Sequence, residues 1–111
     1  MTKQYFQKED IDKVVLLLKK FNISDFEFSE WFKIRLLERG LRKDFVLKTF
    51  SEFERIHLIE EDILKFGDIG YDLHYELDDK NTLIIGVVPK TKLTFIHAIL
   101  RYRNWKSALK H

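Results

Sequence analysis

"YDLHYELDDKNTLIIGVVPKTKLTFIHAILRYR", residues 71–103, is the stretch whose pattern decides the fold class. Its first seven residues alternate, with Tyr71, Leu73, Tyr75 and Leu77 on one side and Asp72, His74 and Glu76 on the other. A period of two marks a strand with one buried face, because successive side chains point to opposite sides of a sheet. "DDKN" then turns into "TLIIGVV", and "PKTK" turns into "LTFIHAILRYR". Connections of about four residues join antiparallel neighbours, so the three strands form a meander. "FERIHLI" at 53–59 is a further strand candidate, which makes a four-stranded, mainly antiparallel sheet. Strands 82–88 and 93–100 are apolar on both faces, so a C-terminal helix or a second copy of the chain must cover the outer side.

Upstream the period lengthens. In "KEDIDKVVLLLKKFN", residues 8–22, Ile11, Val14, Val15 and Leu18 recur at helical spacing, with acids opening the helix and Asn22 closing it. "SDFE" at 24–27 has capping-box spacing and Ser29 is a second candidate cap. The helix that follows stops at Gly40, and "RKDFVLKTF" gives a short third one. Asn104 caps a last short helix at about 105–110. Helices first and strands second describe an α+β domain, with the helices on one face of the sheet. The reading is one domain over 1–111, helical at about 8–50 and a sheet at about 53–103.

Composition narrows the function classes. A chain of 111 residues builds one core, and without cysteine it has neither disulfides nor thiolate metal sites. No apolar run approaches the roughly 18 residues of a membrane span, and "MTKQYFQKED" lacks the apolar centre of a signal peptide. The expected location is the cytoplasm. Residues 53–92 hold five Lys/Arg against nine Asp/Glu, whereas 93–111 hold four basic residues and no acid. A basic end suits an anionic partner such as RNA, or is simply a solvated tail. No Gly-rich phosphate loop, serine elbow or paired-carboxylate motif is present.

The candidate site residues are basic and aromatic. Arg35 and Arg39 lie four apart on one helical stripe behind Trp31. Such a stripe grips a phosphate or carboxylate, covers apolar surface with its aliphatic stems, or pairs with the acids of the middle segment. His57 shares a strand phase with Arg55, and His97 shares one with Arg101 and Arg103. An imidazole beside guanidiniums can move a proton and stabilise an oxyanion, and a hydrogen-bonded core histidine needs neither role. His74, between Asp72 and Glu76, reads as a solvated strand residue. "RYRNWK" at 101–106 interleaves Arg101, Arg103 and Lys106 with Tyr102 and Trp105, a composition that suits RNA phosphates and unstacked bases. No two histidines have the i, i+4 spacing of a zinc-binding helix, so neither metal nor cofactor is expected.

"FSEWFKIRLLERGLRKDFVLKTFSEFERI", residues 28–56, resembles the opening of the DUF4258 family of small prokaryotic proteins. Ser29, Arg35, Glu38, Arg39, Gly40 and Leu41 match that pattern in type and spacing, and the strand order is similar to about residue 100. Where the family tends to place histidine this chain has Trp31, and its first helix, 8–20, is an addition. The family looks related to RelE-type toxins, which cleave mRNA on the ribosome and are neutralised by an antitoxin. The resemblance thus implies a RelE-like fold and a metal-independent endoribonuclease. Arg35, Arg39, Arg55, Arg101, Arg103 and Lys106 would hold RNA phosphate, and His57, His97 or Tyr102 would move protons. Beside it stands a non-catalytic binding protein, a homodimer through the doubly apolar sheet.

Overall fold

The computed structural model describes residues 2–102. The C-terminal helix expected at about 105–110 lies outside the described residues, as do Arg103 and Lys106. The chain is α+β. Strands β1 (Lys3–Tyr5), β2 (Phe26–Phe28), β3 (Ile56–Ile63), β4 (Ile69–Glu76), β5 (Asn81–Pro89) and β6 (Leu93–Tyr102) accompany helices α1 (Lys8–Leu18), α2 (Glu30–Arg39) and α3 (Lys43–Phe50). The sheet order is β1-β3-β4-β5-β6-β2. All pairs are antiparallel except β2 with β6.

The central four strands therefore pair in sequence order, and the expected four-stranded sheet is extended to six. The two additions are three-residue edge strands, too short for an alternation to register. "SDFE" does not start a helix. Asn22 opens a 3-10 turn at Ile23–Asp25, where Asp25 Oδ2 accepts from the Asn22 N–H, and Phe26–Phe28 runs on as β2. Ser29 is the cap of α2, its Oγ accepting from the Phe32 N–H at 3.0 Å. Gly40 closes the same helix at φ 64°, the left-handed geometry that costs glycine little. β3 also starts later than "FERIHLI" suggests, because Phe53–Arg55 is a second 3-10 turn.

One face of the sheet carries the core. Leu73, Tyr75, Leu83, Ile85, Val87 and Phe95 are fully buried there against Leu18 of α1, Phe32 of α2 and Val46 and Phe50 of α3. Phe95 is the hub, its ring 5.0–5.9 Å from those of Phe26, Phe28, Phe32 and Phe50. Each such side chain stabilises the fold by about 1.5–3 kcal/mol through burial alone. The buried Tyr75 hydroxyl donates to the Phe50 carbonyl at 2.8 Å and ties α3 to β4. No described helix is long and apolar enough to cross a membrane.

Candidate functional site

The face of the sheet opposite the helices carries the titratable groups. Two bulges aim them there. Register shifts between Ile56 and Leu58 and between Gly86 and Val87 leave His57 on β3 and Ile96 on β6 without a register partner. A bulge lets two successive side chains share a face, where strict alternation would send one inward. His57 thus joins Leu58 on the open face, and Ile96 joins His97.

Across the strands the residues line up in rows. Glu60 on β3 faces Asp72 on β4, then come Gly86 on β5 and His97 on β6. Like charges directly opposite one another repel, and each carboxylate here is matched by a histidine. His74 Nε2 lies 2.7 Å from Glu60 Oε1, and His97 Nε2 lies 2.9 Å from Asp72 Oδ1. The second contact spans three strands and requires Gly86. A Cβ at that position would stand 2.6 Å from His97 Cδ2, inside the imidazole ring's van der Waals envelope. Nδ1 of His97 is buried with no hydrogen-bond partner among the described residues.

A polar pocket of about 280 Å³ opens at one end of this face. His57, Glu60, His74, Thr82 and Arg101 line it, with Gln4 from the edge strand. The rings of His57 and His74 are 6.2 Å apart and nearly perpendicular. Burial pushes the His57 pKa down, a raising contribution from Glu76 opposes this, and the nearby His74 adds to the lowering. Its imidazole is therefore neutral at neutral pH and offers an unprotonated ring nitrogen as a hydrogen-bond acceptor. His74 is buried, and Glu60 fixes its orientation. Arg101 is exposed, opposite Thr82 at the mouth. Chemically the set offers a neutral base, a carboxylate-oriented imidazole and a cation. No cluster among the described residues could hold a metal ion.

The other expected residues lie elsewhere. Arg39 sits on the helix side and donates to the Ala98 carbonyl at 2.8 Å. Beyond Phe95 the outer edge of β6 has no described strand partner, so this guanidinium satisfies an otherwise unpaired edge group. Arg35 stacks on Trp31, its Cζ 4.2 Å from the ring centroid, and pairs with Glu38 at 3.5 Å. Neither arginine pairs with a described acid of the middle segment, and neither faces the histidines. Arg55 does not share the face of His57, because it belongs to the 3-10 turn before the strand. It pairs with Glu52 at 3.2 Å and donates to the carbonyls of Glu76 and Leu77. Tyr102 follows Arg101 on β6 and alternates to the other face, largely exposed. The shared phase of His97 and Arg101 is observed; the solvated His74 is not, since it is buried at 9% exposure. The role of Glu60 was missed, since only the register sets it diagonally from His74. Gly86 carried a legible signal, because glycine inside an apolar strand marks close approach.

No protein-family model matches the chain, nor does any curated protein or any solved structure. Most of the residues that carry the likeness to the DUF4258 family have local structural employment here. Ser29 caps α2, Gly40 ends it, Arg39 closes the edge of β6 and Glu38 pairs with Arg35.

Proposed function

We propose that this chain is a small binding protein that holds a phosphorylated small molecule in the open-face pocket. Arg101 takes the anionic group, and His57, Thr82 and Gln4 meet the ligand's hydrogen-bonding groups. The observation that carries this reading is the convergence of His57, Arg101 and the Glu60–His74 pair on one pocket. A guanidinium matches phosphate oxygens two at a time, and a neutral imidazole both donates and accepts. Glu60, Asp72 and Glu76 share the face, and that acidity opposes a long polyphosphate backbone more than a single phosphoryl group. On this face Ile84 and Val88 are only 4% and 6% exposed while Leu58, Ile96 and Ile99 are half-buried, so a homodimer through it would join a mixed polar and apolar surface.

The test is calorimetric titration with a nucleoside monophosphate and with inorganic phosphate. Saturable binding that falls about tenfold in Arg101→Ala, or about 1.4 kcal/mol, supports the reading. Absence of binding, or an Arg101→Ala variant with native affinity, overturns it.

A second reading is favoured by the 6.2 Å separation of the two imidazoles. Metal-independent RNA cleavage needs a base for the ribose 2′-hydroxyl, an acid for the departing 5′-oxygen and a cation for the phosphorane. His57, His74 and Arg101 would fill those roles in a RelE-like ribonuclease, with ribosomal RNA complexes and a neutralising antitoxin as partners. Arg35, Arg39 and Arg55 would take no part. Fragments ending in a 2′,3′-cyclic phosphate, lost in His57→Ala, are its signature.

A further inference from the structure

A second concavity lies on the helix side, where the end of α1, the 3-10 turn before β2, and α3 meet. It measures about 410 Å³, within the roughly 300–1,000 Å³ of small-molecule sites. Its walls are apolar and come from separate elements: Leu18 from α1, Phe26 from β2, Leu47 and Phe50 from α3, with Phe21 and Phe53 from the connecting segments. The rings are already locked against one another. Phe26 and Phe50 meet edge-on at 5.6 Å, and Phe50 and Phe53 at 5.3 Å, so the cleft is formed without a ligand.

Among the described residues, the only charged side chains in its lining are Lys19 and Lys48. Neither is in an ion pair with a described residue. Lys19 Nζ stands over the Phe53 ring, 5.9 Å from its centroid. The nearest acids along the chain are engaged elsewhere, Asp25 with the Asn22 N–H, Asp44 with Arg42 and Glu52 with Arg55. Four phenyl walls favour a flat aromatic body, which gains edge-on and offset contacts beyond its buried area. Two unpaired ammonium groups at the rim favour one negative charge at its end.

We propose that this cleft binds a small aromatic carboxylate, its ring among Phe21, Phe26, Phe50 and Phe53 and its carboxylate between Lys19 and Lys48. The site shares no residue with the open-face pocket, so the two stand or fall separately.

The test is calorimetric titration of the full chain with naphthoate and with its neutral analogue naphthamide. Naphthoate is expected to saturate below about 1 mM and to bind five- to tenfold more tightly than the amide. The double variant Lys19→Gln/Lys48→Gln changes two exposed side chains and is expected to bring naphthoate down to the affinity of the amide. Leu47→Trp fills the cleft and is expected to abolish both. No saturable binding by the native chain, equal affinity for acid and amide, or native naphthoate affinity in the lysine variant overturns the proposal. Should Leu47→Trp not fold, the lysine variant decides alone.

Discussion

His57 shows how one side chain's surroundings set its chemistry. Its ordinary pKa is 6.5, and burial holds the folded value below that. Folding therefore disfavours the imidazolium, and the sign of the pH dependence follows. Above pH 6.5 the contribution to stability is fully present. As pH falls below it, the unfolded chain takes up the proton first and stability drops until folded His57 titrates too. In His57→Gln this loss is removed. The melting temperature of the variant is expected to fall less than that of the native chain between about pH 7.5 and about pH 5. Parallel curves for the two proteins would show that His57 has no depressed pKa.

At the scale of elements, α2 explains the arginine stripe. Ser29 satisfies the N–H of Phe32 at the start of the helix, and Arg39 at its end crosses to the β6 carbonyl of Ala98. The Ser29 N–H also donates to the Phe95 carbonyl at 3.1 Å, so the helix is fastened to β6 at both ends, with Phe32 and Leu36 buried between. Ser29→Ala is expected to cost about 0.5–2 kcal/mol through the lost cap. Arg39→Ala is expected to cost about 1–3 kcal/mol, because Ala98 is buried and its carbonyl would lose its donor. Urea unfolding checks both, and an Arg39→Ala midpoint equal to the native one would return that residue to the list of free cations. The bulges on β3 and β6 are the other decisive local features. Each turns a histidine-bearing stretch toward the open face, where regular pleating would have spread those side chains over both sides.

The whole molecule divides along the plane of its sheet. Helices, the aromatic core, Arg35, Arg39 and Arg55 occupy one side, and His57, His74, His97 and Arg101 occupy the other. Residues separated by a sheet and sharing no partner act independently. Arg39→Ala is therefore expected to leave phosphate-ligand affinity in the open-face pocket unchanged, and Arg101→Ala to leave stability within about 0.5 kcal/mol. Binding loss in Arg39→Ala, measured by the same titration, would contradict this division.

Much of the architecture was legible because it is local. Helical spacing at Ile11, Val14, Val15 and Leu18, alternation at Tyr71, Leu73 and Tyr75, and the stop at Gly40 each depend on a few neighbouring residues. β1 and β2 were not legible, since three residues hold less than two periods and exist as strands only through their partners. The sequence by itself determined the α+β class, the order of the three helices and the four long strands, and the phase that puts His97 with Arg101. Only the tertiary structure decided that Arg39 serves a strand edge, that Glu60 orients His74, and that His97 reaches Asp72 across Gly86. Those three contacts join residues 59, 14 and 25 positions apart, and register and bulges, not local pattern, set which side chains meet.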